Sequence, residues 1–157
     1  MAKKIPDDLA AAFAALGTEF QPWGPRIVIT QRDVDTFTDL TGDDNEIHVL
    51  RPGFKTVVPG LMTLAYLPKL LPGGIPLSRP ELTTINKGFS SVEFHRPVHT
   101  GVIIRMRFKT LSLEPGRFGA EAKFVFEISY EHDVVHMKEA VTGIITLLFV
   151  PQKEAGK

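Results

Sequence analysis

The stretch Thr41-Gly42-Asp43-Asp44-Asn45-Glu46-Ile47-His48 holds four groups suited to moving a proton or holding a water, Asp43, Asp44, Asn45 and His48, within six residues. A histidine beside a carboxylate is a common general acid/base pair, because the imidazole titrates near neutrality and the carboxylate fixes its orientation. Asn45 is suited to hold a water between them. Spacing does not choose the carboxylate. On a helix Asp44 and His48 would share a face and Asp43 would lie about 140° away, at about 100° per residue. In a loop either aspartate reaches. The same residues after a glycine are also ordinary turn formers.

Flanking elements must hold that stretch in place. Upstream, Val34, Phe37 and Leu40 recur at helical spacing, which predicts a helix over 31–41. Thr30 with Asp33 three residues on forms a capping-box pattern at its start, and Gly42 is a natural stop. Residues 43–58 show no period and end at Pro59-Gly60, so they read as loop. There an apolar helix is expected, Pro59 to Leu67, apolar nearly all round and therefore buried. Pro68 and Pro72 should kink or end it, and Leu71 to Pro80 reads as a connection.

Before these come a short helix, with Leu9, Phe13 and Leu16 on one face and Gly17 at its end, then a Pro/Gly linker and a strand from Arg26 to Ile29. From about residue 84 the period becomes two: Val102, Ile104, Met106 and Phe108 alternate with Ile103, Arg105, Arg107 and Lys109, then Ala120, Ala122, Phe124, Phe126, Ile128 and Tyr130 with mostly charged neighbours. Turns are expected at Pro115-Gly116 and His132-Asp133. The last run, Val134 to Val150, is apolar on both faces toward its end, as an interior strand would be. Helices early and antiparallel strands late give an α+β class, a sheet packed on a central helix.

A chain of 157 residues fits one domain, 1–157, with residues 1–20 as a helical extension. Eighteen basic residues balance eighteen acidic ones, so no overall field draws nucleic acid or anionic lipid. The absence of cysteine removes disulfides, thiolate metal sites and cysteine nucleophiles, and suits a reducing cytoplasm. No run approaches the roughly 18 apolar residues that span a bilayer. Lys3 and Lys4 hint at a signal peptide, but Pro6, Asp7 and Asp8 interrupt it. With one histidine near the loop, a dedicated metal site is not expected. His95, His99, His132 and His136 read as structural or solvated. Lys87, Arg96, Arg105 and Arg107 are candidates for phosphate contacts, though alternating charges on strands are usually the wet face.

Phe37 to His48 resembles the signature of the MaoC-like, (R)-specific enoyl-CoA hydratases, which runs aromatic, small, Gly, Asp, any, Asn, Pro, aliphatic, His. Gly42, Asp43, Asn45, Ile47 and His48 match it, and Glu46 stands in place of proline. Phe89 to Val98 followed by Gly101 and a strand is also similar to family members. Two further positions differ: Pro59-Gly60 where the family usually has His-Gly, and Ala65 where a serine is common. The resemblance implies a hot-dog fold, an antiparallel sheet wrapped around a central helix, and makes Asp43 rather than Asp44 the partner of His48. It further implies hydration of 2-enoyl thioesters, or dehydration of 3-hydroxyacyl thioesters, of coenzyme A or acyl carrier protein, by a homodimer. That reaction needs donors for the enolate-like oxygen, and the Gly60 N–H at a helix start suits it, its missing side chain leaving room for the carbonyl. Two other readings share the fold: a thioesterase, for which residues 59–71 lack the carboxylate often found on the central helix, and a non-catalytic acyl-thioester-binding protein.

Overall fold

The two-residue alternation becomes four long strands, β2 (Leu82–Phe94), β3 (Ile103–Pro115), β4 (Ala120–Glu131) and β5 (Met137–Pro151), joined by the two-residue β1 (Ile27–Val28). The computed structural model describes residues 4–72, 81–133 and 136–152. Residues 73–80 of the expected connection, 134–135 at the start of the last apolar run, and Lys3 lie outside them. Every pairing is antiparallel, in the order β1-β3-β4-β5-β2, so β5 is interior, as its two apolar faces require. Alternate residues point to one side. Ile104, Met106 and Phe108 on β3, Ala122, Phe124, Phe126 and Ile128 on β4, and Val141, Leu147 and Phe149 on β5 are all buried there.

Against this face lie α1 (Asp7–Leu16), which buries Leu9 and Phe13, and the helical pair α3 (Gly60–Ala65) and α4 (Leu67–Leu70). α2 (Gln31–Thr41) keeps the expected bounds, while the strand expected over 26–29 shrinks to β1. The helix expected from Pro59 to Leu67 is broken at Tyr66, because Pro68 lacks the N–H that an unbroken helix would use and fits only the first turn of a new one. Nor is it buried all round. Met62, Thr63, Leu67 and Leu70 face the core, whereas Leu61, 71% exposed, shares with Leu64, Ala65 and Pro68 a stripe at positions i, i+3, i+4 and i+7 that lines a cavity instead.

The two sheet edges are treated differently. Along β3 the linker after α1 runs as a strap: Gln21 N–H donates to Phe108 O at 2.8 Å and Gly24 N–H to Met106 O at 2.7 Å. Arg105 grips the strap by its Gly24 and Trp23 carbonyls, and the Arg107 guanidinium, ion-paired with Glu127, lies beneath the Phe20 and Trp23 rings. These contacts account for the arginines on β3. β2, at the opposite edge, is 13 residues long and has no neighbouring strand on its outer side among the described residues.

Gly24 is where the strap meets α4. A side-chain carbon there would collide with the Leu70 carbonyl oxygen and crowd Pro72 N and Met106 O. Gly24→Ala should therefore lower stability by about 1–3 kcal/mol, as overpacking does, measured as a drop in the urea midpoint at constant m. An unchanged midpoint would show that α4 yields without cost.

Candidate active site

The loop is anchored first by α2. The Thr30 hydroxyl oxygen accepts from Asp33 N–H at 3.2 Å, while Asp33 Oδ2 accepts from the Thr30 N–H at 2.8 Å and from its hydroxyl at 2.7 Å. These Thr30 hydrogen bonds hold the Asp33 carboxyl below the usual carboxylate range. At the other end Gly42 adopts a left-handed φ of 72°, and its N–H and that of Asp43 both donate to Thr38 O, at 2.8 and 3.1 Å. A glycine enters this conformation without strain, so the chain can leave the helix sharply here.

Asn45 continues the turn. Its N–H donates to Asp43 Oδ1 at 3.3 Å, and its side-chain oxygen accepts from Ile47 N–H at 3.3 Å, capping a 3-10 turn, Glu46–His48. The amide is exposed, and its oxygen serves the turn. Glu46, standing where the resembling family has proline, is tied to Arg51 by an ion pair of 3.1 Å, and Arg51 also donates to the Glu46 carbonyl at 3.2 Å and lies over Phe54. Glu46 is itself exposed, so its charge faces water.

His48 is 7% exposed. Its Nδ1 lies 2.6 Å from Val57 O. A carbonyl can only accept, so Nδ1 carries the proton and, in the neutral ring, Nε2 presents its lone pair. That nitrogen lies 3.5 Å from Asp43 Oδ2. The backbone is held on both sides: Val57 N–H donates to Ile47 O at 2.9 Å, and Gln31 Nε2 to His48 O at 3.0 Å. Asp44 is exposed and makes no hydrogen bond or ion pair with His48 among the described residues. Two acceptors 3.5 Å apart can both receive hydrogens from one water at about 2.8 Å from each. The Asp43 side chain is 38% exposed, so water reaches the pair.

Gly60 begins α3, three residues after Val57, a stretch of at most about 11 Å. As the first residue of the helix its N–H has no partner within it. The room left by its missing side chain is not open, however. A carbon built there would lie 2.8 Å from the Phe94 ring, so the glycine accommodates that aromatic rather than an approaching carbonyl. Gly60, Phe94, Val57 and Arg96 border a cavity of about 220 Å³. A larger one, about 610 Å³ and mostly apolar, with Thr84 and Asn86 also in its lining, starts at the next residue, Leu61, and runs along Leu64 and Leu67 beneath Phe108, Phe124 and Leu147. Asp43 and His48 line neither.

The other expectations can be placed. His95, His99 and His136 bond to Thr142 Oγ1, Thr56 O and Asp133, and none of them contacts the loop pair. No group of three His, Asp or Glu among the described residues is arranged to hold a metal. Lys87 pairs with Glu121, and Arg96 donates to Glu139 O. Three positioning groups were missed in the sequence: Val57 and Gln31, which hold His48, and Phe94 against Gly60. A backbone carbonyl leaves no signal in residue types, and a glutamine 17 positions away is an unremarked helix residue until folding brings it near.

No family model matches the chain. It is 35% identical over 118 residues to the 3-hydroxyacyl-thioester dehydratase Z of Mycobacterium tuberculosis, covering 71% of this chain and 74% of that protein. Its fold matches the (R)-hydratase from A. caviae involved in PHA biosynthesis, with a TM-score of 0.63 and 18% identity over 83% of this chain and 93% of that one. It also matches the MaoC-like dehydratase from Rhodospirillum rubrum, with a TM-score of 0.60 and 15% identity over 95% and 99%.

The capping box sets the start of the helix that presents the loop. Because Asp33 titrates below its ordinary 3.8, its ionised form contributes stability that is present above that value and lost as the pH falls through the lowered one. Asp33→Asn should cost about 1 kcal/mol at pH 7. Its deficit relative to the parent should close as the pH falls below the ordinary 3.8 and through the lowered value, followed by urea unfolding at successively lower pH. A deficit independent of pH would mean the carboxylate does not supply the cap.

Proposed function

The chain belongs to the MaoC-like hydratase–dehydratase family of hot-dog proteins, and on that premise we propose that it adds water to 2-enoyl thioesters, or removes it from 3-hydroxyacyl thioesters, with Asp43 and His48 as the reacting pair. The observation that carries the reading is the 3.5 Å approach of Asp43 Oδ2 to His48 Nε2, with the opposite ring nitrogen committed to Val57 O. A water shared by the two is polarised from one side. Its oxygen bonds to the β-carbon as its O–H breaks, the proton passes to the pair, and a proton returns from the pair to the α-carbon. Dehydration runs the same steps backward. Since both groups stand on one side of the double bond, addition occurs on a single face.

Asn45 acts in this reading by position, its N–H steadying Asp43 and its amide oxygen capping the turn that carries His48. The Gly60 N–H, without a partner inside its helix, is assigned as the donor for the thioester oxygen in the enolate-like state, where charge develops; the oxygen must reach it past the Phe94 ring, which fills the space beside the α-carbon. The apolar cavity that begins at Leu61 takes the acyl chain; its volume lies inside the range of about 300–1,000 Å³ usual for small-ligand sites. The substrate is an acyl thioester of coenzyme A or of acyl carrier protein. No described helix is long and apolar enough to cross a membrane, and a chain without cysteine suits the cytoplasm, the location this reading includes.

A second copy of the chain is the expected partner. The outer edge of β2 is long, and Ile85, Phe89 and Phe94 on that strand are exposed. Bare edges of this kind pair readily. Sedimentation should give twice the 17.4 kDa mass of one chain, and a single-chain mass at micromolar concentration would remove the dimer from the proposal.

One pair of assays tests the chemistry. With crotonyl-CoA the enoyl absorbance should fall, and with hexanoyl-CoA no free thiol should appear. Thiol release instead would indicate a thioesterase, and neither signal a binding protein. Asp43→Asn and His48→Gln should each lower kcat/KM by about 10²–10⁴-fold, the usual worth of a general acid/base group. Asp44→Asn should stay within about threefold, for want of any contact with the ring. A loss at Asp44 with Asp43 unaffected would sink the assignment.

A further inference from the structure

The cavity has two ends. The near one is the first turn of α3, where Leu61 follows Gly60; the far one is marked by Leu71, Phe124 and Leu147. Strand register shows what lies beyond. Phe124 pairs with Ile145, Ala122 with Leu147 and Ala120 with Phe149. Phe124, Ile145 and Leu147 line the cavity, whereas Ala120, Ala122 and Phe149 do not, although all three are buried. Two alanines have too little bulk to close a sheet interior by themselves. The filling comes from α1: Leu9 is fully buried and Phe13 nearly so in the same core. The Phe13 ring sits 5.5 Å from that of Phe124 and 5.8 Å, edge-on, from Phe149, while Phe124 leans edge-on against Phe108 at 5.5 Å. Phe13 therefore stands directly behind one ring of the cavity wall, Phe124, and wedges it against the buried Phe149, on a helix outside both the loop and the α3–α4 pair.

We propose that Phe13 is a specificity-determining residue: it braces Phe124 and so fixes the closed end of the cavity, setting the longest acyl chain the protein accepts. This rests on the reading of that cavity as the acyl site. With Phe13 in place Phe124 has no space to rotate backward, and a longer chain must leave its last methylenes in water or displace packed rings. With Phe13 truncated, Phe124 turns into the vacated space and the cavity lengthens toward Ala122.

The test is calorimetric binding of butanoyl-, octanoyl- and dodecanoyl-CoA, which needs no turnover, to the parent chain, Phe13→Ala and Phe13→Leu. The quantity read is the dodecanoyl-to-octanoyl affinity ratio within each protein, so that any loss of folded fraction cancels. Each newly sheltered methylene is worth about fourfold in affinity. The ratio should rise about tenfold in Phe13→Ala and about fourfold in Phe13→Leu, which keeps most of the packing and carries the test should the alanine variant fail to fold. A ratio equal to the parent's in the folded variants, or no binding of any acyl-CoA, overturns the proposal. A raised ratio in a protein that does not hydrate crotonyl-CoA would retain the wall and reject the reaction; hydration with a flat ratio would do the reverse.

Discussion

A buried imidazole needs a partner for its ring N–H, and here the Val57 carbonyl is that partner. Much of the local architecture follows from this one hydrogen bond. It fixes which nitrogen of His48 faces Asp43, and it ties the 3-10 turn to the strand-like segment that runs into α3. The reciprocal bond from Val57 N–H to Ile47 O and the Gln31 amide on His48 O keep the ring from withdrawing. Asp43 has a separate restraint, the left-handed exit at Gly42 with two amides on Thr38 O. The pair is thus positioned by backbone groups, whose geometry leaves little torsional freedom.

Around that centre the sheet provides a frame with one finished edge and one open edge. The strap over β3 is held by arginines whose charges are neutralised by carbonyl oxygens, Glu127 and aromatic faces. β2 carries bulges after Asn86 and Ser90, with Ser91 at a φ of 52°, and still presents apolar side chains at its free edge. Between frame and helix pair lies an apolar cavity that close packing does not fill. Pro68 contributes to it: the break at Tyr66 leaves the Leu61, Leu64 and Ala65 stripe facing the cavity, where an uninterrupted, fully packed helix would have closed it.

Much was legible in order along the chain. The α2 limits, the Thr30–Asp33 box, the Gly42 stop and the interior β5 all express short-range rules, namely capping, left-handed glycine and hydrophobic period, which need no knowledge of distant residues. Where the reading erred, a distant residue decided. Gly60 looked like open space for a carbonyl, but Phe94, 34 positions on, occupies that space. The α3 helix looked buried on every side, but its fate depended on how much volume the curled sheet left beneath it.

By itself the sequence determined that an aspartate and a histidine share a short glycine-led loop, that a capped helix precedes it, and that an antiparallel sheet follows. It left Asp43 and Asp44 equal on spacing alone. Only the tertiary structure separates them in space, with Asp43 beside the ring, because the direction of a loop side chain is set by hydrogen bonds to groups elsewhere: the Asp43 N–H to Thr38 O, and the His48 ring Nδ1–H to Val57 O. The same holds for the cavity. Hydrophobic period tells which residues turn inward, but the volume left among them, and the ring of Phe13 that bounds it, exist only once strands distant in the chain lie side by side.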